Sequence, residues 1–92
     1  MDIFGQVAER IIKAQEAIIG SVALEQAKKV QGLTFNDQKH EVALEGNKTA
    51  ILEKLVEKYQ DIFGKASVEV CRTAVKSMIG QMPKDQVPSL LQ

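Results

Sequence analysis

Histidine and cysteine, which serve in nucleophilic, acid–base and metal-binding chemistry, occur once each, as His40 and Cys71. A metal site needs several nitrogen, sulfur or carboxylate ligands brought together, and neither residue has a second ligand at a short, regular spacing. His40 falls in a polar, turn-forming stretch, where a solvated histidine is expected. Cys71 falls on an apolar helical stripe, where cysteine behaves as a small hydrophobe. We therefore predict neither a metal site nor a catalytic site.

The acidic residues also do not indicate a catalytic or metal site. Glu53, Glu57 and Asp61 follow one another at i,i+4 spacing, which places like charges side by side on a helix. Lys54 and Lys58 are interleaved with them, so the pattern is typical of a mixed, solvated face. The six glycines are scattered and form no phosphate-binding loop. The sequence thus predicts a protein that is not an enzyme and binds no cofactor.

The composition argues against two classes of partner, nucleic acid and membrane, and indicates where in the cell the protein is found. Twelve basic and twelve acidic residues give a formal charge of zero, which argues against a nucleic-acid partner because such proteins need a basic patch. The longest apolar-rich stretch, residues 17–24, is too short to span a bilayer, so we expect no membrane partner. One cysteine forms no intramolecular disulfide, and the first residues lack the pattern of a signal peptide. These features predict a soluble, cytoplasmic protein.

Hydrophobic periodicity predicts an α+β fold dominated by helices, in a single small domain covering residues 1–92. Apolar residues recur every three or four positions over residues 2–30, which indicates one long amphipathic helix. Residues 33–45 alternate apolar and polar, which indicates a β-hairpin. Pairing Leu33 with Leu44 and Phe35 with Val42 puts the apolar side chains of both strands on one face.

A second helical pattern covers residues 47–80, with Asn47 as its N-cap. Beyond Gly64 the apolar stripe continues but is rotated by about 80° around the helix axis. Two alternatives follow: a continuous helix, which we favour, or two helices split at residue 64. Gly80 and Pro83 end the pattern, and residues 83–92 form a tail with a short helical turn.

A short segment occurs twice, 44 positions apart: residues 18–28 are echoed without a gap by residues 62–72. Each copy has a glycine among small residues inside a helical pattern, although glycine in a helix interior costs about 1 kcal/mol. We predict that two helix backbones approach closely there, within one chain or across a dimer. The candidate residues for this crossing or interface are Gly20, Ser21, Gly64, Ala66 and Ser67. The alternative is that each glycine caps one helix and a new helix starts after it.

The carboxyl-terminal apolar residues are the other candidate for a partner surface. Methionine side chains adapt to varied partners, and a short apolar tail can dock into a groove. The candidate residues are Met78, Met82, Val87, Leu90 and Leu91. The alternative is that the tail covers its own domain.

We therefore expect a non-catalytic protein–protein interaction or regulatory module that acts as a homodimer. A lone hairpin is marginal in water and its edges are open to pairing, which favours self-association with a second copy or binding to another, unidentified protein. The alternative is a sensor or carrier of a lipophilic small molecule. In that case an aliphatic pocket lies between the long helices, with Tyr59 or Cys71 at its edge.

Overall fold

The computed structural model describes residues 2–36 and 41–92. The described residues form helices α1 (Ile3–Ile19), α2 (Val22–Ala27), α3 (Lys48–Phe63) and α4 (Lys65–Ile79), and strands β1 (Leu33–Asn36) and β2 (Glu41–Leu44), followed by two 3-10 turns at Lys84–Gln86 and Ser89–Leu91. The predicted helix-dominated α+β class is confirmed. No helix within these ranges is long and apolar enough to cross a membrane.

The hairpin has the register that the alternating pattern predicts. Strands β1 and β2 pair in antiparallel fashion, with Leu33 opposite Leu44 and Phe35 opposite Val42. Leu33, Val42 and Leu44 are buried and Phe35 is half-buried, because the residues at alternate positions face the helices. The turn was predicted over residues 36–40; Asn36 is the last residue of β1, and residues 37–40, which include His40, lie outside the described residues.

Capping side chains set where the long helices begin. The Asp2 carboxylate accepts a hydrogen bond from the Gly5 N–H at 2.9 Å, and the Asn47 side chain accepts one from the Ala50 N–H at 3.1 Å. Each satisfies an amide that has no partner within its own helix. Asp2 also pairs with Lys48, and this hydrogen bond together with the one from Gly5 keeps the pKa of the Asp2 carboxyl below its ordinary value. The starts of α1 and α3 are thereby joined.

Both predicted long helices are broken at a glycine. α1 ends at Gly20 and α3 ends at Gly64, where the backbone φ angles are +68° and +80°. With ψ angles of −147° and −169°, this conformation is nearly exclusive to glycine. The predictions of one continuous helix over residues 2–30 and of one over residues 47–80 were therefore wrong. The apolar residues keep their helical spacing across each glycine, so the spacing does not show that the backbone changes direction there. Both segments have the alternative form, in which the glycine caps one helix and a new helix starts after it, so residues 47–80 form two helices split at residue 64.

The core is aliphatic and is shared by all the elements. α1 packs against α4, α2, α3 and β2, and α3 packs against α4 and α2. The largest fully buried side chains on the long helices are those of Tyr59, Ile11, Leu52 and Leu55. The tail follows α4 and its second 3-10 turn lies against α3 and α4.

The glycine conformations lead to a test that separates a helix cap from a close helix crossing. No atom outside the immediate chain neighbours lies within 4 Å of a Cβ built at Gly20 or Gly64. Strain alone then sets the penalty, so Gly64→Ala and Gly64→Leu should each lower the free energy of unfolding by a similar amount, about 1–3 kcal/mol. Urea denaturation measures both values.

Gly80 provides the matched control, because it also has open space at its Cβ but has a φ of −63°. Gly80→Ala should leave stability unchanged or raise it by up to about 1 kcal/mol. If Gly64→Ala is harmless and only Gly64→Leu destabilises, the close-crossing prediction is right and the cap is not the reason for the glycine.

Candidate functional site

The echoed segments have the same local structure. In the first copy the Gly20 N–H donates to the Glu16 carbonyl at 2.9 Å, and the Gly20 carbonyl accepts from the Ala23 N–H at 3.1 Å. In the second copy the bonds join Gly64 to Gln60 and Ser67 at 2.8 and 3.1 Å. Each copy is thus a helix, a glycine corner and a second helix. We call these units the first half (α1 and α2) and the second half (α3 and α4).

Two buried hydrogen bonds join the halves in a reciprocal way. The Gln15 side-chain amide, in α1, donates to the Ser67 carbonyl of α4 at 3.1 Å. The Tyr59 hydroxyl, in α3, donates to the Ala23 carbonyl of α2 at 2.8 Å. Gln15 and Tyr59 are 44 positions apart, and so are Ala23 and Ser67. Each half therefore donates from the same position to the same position of the other half, as in a twofold contact.

The equivalence extends into the core. Positions that bury a side chain in α1 bury one again 44 residues later in α3, and Ala27 and Cys71 are both fully buried. The equivalent buried pairs on α1 and α3 are Val7 and Ile51, Ala8 and Leu52, Ile11 and Leu55, and Ile12 and Val56. The two halves thus use the same face of each helix to build one core.

The reciprocal bonds bring the ends of all four helices together. Gln15 lies in the last five residues of α1 and meets the first turn of α4, and Tyr59 lies in the last five of α3 and meets the first turn of α2. Next to the two corners are the exposed large apolar side chains of the described chain: Ile18, Val22, Ile62 and Phe63. We call these four residues the corner face. Ile18 and Ile62 are again 44 positions apart.

The five residues predicted at a helix crossing differ in their exposure. Gly20, Ser21, Gly64 and Ala66 are exposed, and Ser67 is buried. The two segments do come to the same end of the molecule, but within the chain the glycines do not form the close backbone contact that was predicted, since the space next to them is open. Ser21 makes no capping hydrogen bond with its side chain.

The carboxyl-terminal apolar residues were predicted as a partner surface, but in the structure they pack against their own domain, which was the alternative. Met78, Met82, Val87 and Leu91 are buried in the chain's own core, and Leu90 is half-buried.

Polar side chains of α3 and α4 fasten the tail. Glu53 accepts hydrogen bonds from the Ser89 hydroxyl at 2.7 Å and the Leu90 N–H at 3.2 Å. Arg72 donates to the Leu90 carbonyl at 2.9 Å. The tail thus covers its own domain, and its apolar residues complete the core.

Cys71 has the buried role that its place on the stripe predicts. Burial raises the pKa of its thiol, and the Gln15 amide donates to its sulfur at 3.3 Å. Tyr59 is fully buried as well, and burial raises the pKa of its hydroxyl. Both side chains are excluded from water, whereas the ligand-carrier alternative placed Tyr59 or Cys71 at the edge of a pocket between the long helices. Residues 2–36 and 41–92 contain no group of three potential metal ligands among His, Cys, Asp and Glu.

Gln15 and the corner face were not predicted from the sequence, and Tyr59 was predicted at a pocket edge rather than as a buried hydrogen-bond donor. The 44-residue offset that identified the echo also relates Gln15 to Tyr59, but the two side chains have different chemistry, so residue-by-residue comparison does not pair them. Ile18 and Ile62 were assigned to the apolar stripe of a continuous helix. Once each helix ends at its glycine, these residues are left at the surface.

The reciprocal hydrogen bonds lead to a paired prediction. Tyr59→Phe removes the donor to the buried Ala23 carbonyl, and Gln15→Leu removes the donor to the buried Ser67 carbonyl. Each should lower the free energy of unfolding by about 1 kcal/mol, because a buried hydrogen bond between the halves is lost. Chemical denaturation of both variants measures the effect.

The control is Thr49→Val, which removes an exposed hydrogen bond to the Gln86 carbonyl and should change stability by less than about 0.5 kcal/mol. Tyr59→Phe and Gln15→Leu variants as stable as the Thr49→Val variant would show that the crossing bonds do not hold the halves together.

Comparison with protein-family models, with curated proteins and with solved structures finds no match.

Proposed function

We propose that the chain is a non-catalytic protein–protein interaction module that acts as a homodimer through its corner face. The observation that carries the proposal is the exposure of Ile18, Val22, Ile62 and Phe63. Ile18 is 62% exposed and Ile62 is 48% exposed, in a chain whose other large aliphatic residues are mostly buried. Fully burying one isoleucine side chain contributes roughly 1.5–3 kcal/mol. Because Ile18 and Ile62 are about half exposed, a partner that covers them would gain much of this free energy.

The symmetry of the corner face favours a second copy as the partner. A twofold interface brings the same patch of both subunits together, so the patch has to be complementary to itself. The two halves present Ile18 and Ile62 at equivalent positions, next to corners of the same geometry. An apolar patch that pairs isoleucine with isoleucine meets this condition.

The charges around the corner face are also compatible with self-association. Asp61 and Lys65 flank Phe63 and Gly64, both are exposed, and within the described residues neither makes an ion pair. Their opposite signs allow a twofold contact to bring Asp61 of one copy toward Lys65 of the other. Such rim pairs add little affinity, but like charges in their place would oppose the contact.

The non-catalytic part of the proposal is supported by the environment of Cys71. A thiol attacks as its thiolate, and burial disfavours the thiolate of Cys71 because a charge is costly in an apolar core. Its neighbour Gln15 is an amide, which cannot take up the thiol proton. Cys71 therefore serves packing, as does its equivalent, Ala27.

Self-association through the corner face predicts the mass in solution. Light scattering or sedimentation at micromolar concentration should give twice the 10.1 kDa chain mass. Ile62→Glu should weaken the dimer at least about 30-fold, which corresponds to about 2 kcal/mol, because each subunit then buries a carboxylate in the interface.

Ser77→Glu is the matched control, since Ser77 is an exposed residue of α4 outside the corner face. The control should keep the wild-type mass, and at a concentration where the wild type is monomeric both variants should keep its free energy of unfolding to within about 0.5 kcal/mol. A monomeric wild-type chain, or a dimer that Ile62→Glu leaves intact, would refute the proposal.

A further inference from the structure

A surface cleft lies between the hairpin and the first half of the chain, and we call it the hairpin cleft. Its apolar lining comes from four elements: Ile12 of α1, Leu24 of α2, Phe35 of β1 and Val42 of β2. Ile12 and Val42 are nearly covered, whereas Leu24 and Phe35 are half-buried and offer apolar surface. None of the corner-face residues lines this cleft.

Among the described residues, the rim of the hairpin cleft is acidic. Glu9 and Lys13 lie on it as an ion pair with an Nζ–Oε1 distance of 2.9 Å, so they neutralise each other. Glu16 and Glu41 also line the cleft, both are exposed, and neither makes an ion pair with a described residue. The described lining residues thus carry two carboxylates in excess around an apolar floor.

This combination selects for one class of ligand. Carboxylates attract a cation and repel an anion. The apolar side chains favour an alkyl or aryl group, which leaves water on binding. A ligand that fits both parts has an apolar body and a positively charged head.

We propose that the hairpin cleft binds small amphipathic organic cations, that is, alkyl- or arylammonium compounds. The apolar body lies on Leu24 and Phe35, and the ammonium group lies at the rim beside Glu16 and Glu41. This site uses none of the residues that form the proposed dimer interface, so it goes beyond the proposed function and does not depend on it.

Binding is tested by amide NMR titration of the full chain with hexyltrimethylammonium, hexyl sulfate and hexan-1-ol. These probes share the alkyl chain and differ in charge. Hexyltrimethylammonium should give saturable shifts at the amides of Leu24, Phe35 and Val42, whereas hexyl sulfate should give none that saturate. The neutral alcohol should bind more weakly than the cation.

Glu16→Gln combined with Glu41→Gln should weaken the binding of hexyltrimethylammonium about five-fold, as expected for the loss of two exposed charges. Glu57→Gln removes an exposed carboxylate of α3 outside the cleft and should leave binding unchanged. The Ile62→Glu variant should bind the cation as the wild type does, which separates this site from the dimer. Equal binding of hexyl sulfate, shifts confined to other parts of the chain, or no saturable shift would overturn the proposal.

Discussion

The hydrogen bonds from Gln15 to the Ser67 carbonyl and from Tyr59 to the Ala23 carbonyl join the ends of all four helices. Both carbonyls belong to the first turn of a helix that follows a glycine corner, and both donors are essentially excluded from water. A buried donor without a partner costs about 1–3 kcal/mol, so the arrangement that satisfies both Gln15 and Tyr59 is favoured over packings that leave either one unpaired. The aliphatic core fills the space between them, and the hairpin connects them.

The glycine corners connect this core to the surface that we propose for self-association. If α1 and α3 continued past Gly20 and Gly64, the packing of α2 and α4 against the opposite half would be lost. Ending the helices there turns the chain back into the core and leaves Ile18 and Ile62 outside it. The exposed apolar side chains are therefore a consequence of the same backbone conformation that allows the reciprocal bonds to form.

Hydrophobic periodicity and side-chain type predict the hairpin and the start of α3. The alternation in residues 33–45 predicts both strands and their register, because a shift by one residue would turn apolar side chains to water. Asn47 predicts a helix start because its side chain caps an amide. The breaks at Gly20 and Gly64 depend on a φ angle, which an apolar stripe does not report. The two glycines were themselves a sequence signal for both breaks, as possible helix caps, and the rotation of the stripe beyond Gly64 was a further signal of the second.

Native-state hydrogen exchange of the backbone amides tests most directly whether the crossing bonds join the two halves into one cooperative unit. We expect the slowest amides of α1 and of α3 to exchange at the same free energy of opening, because neither half keeps its core without the other. If the slowest amides of one helix open at a free energy lower by more than about 1 kcal/mol while those of the other stay protected, the halves open separately and the crossing bonds do not join them into one unit.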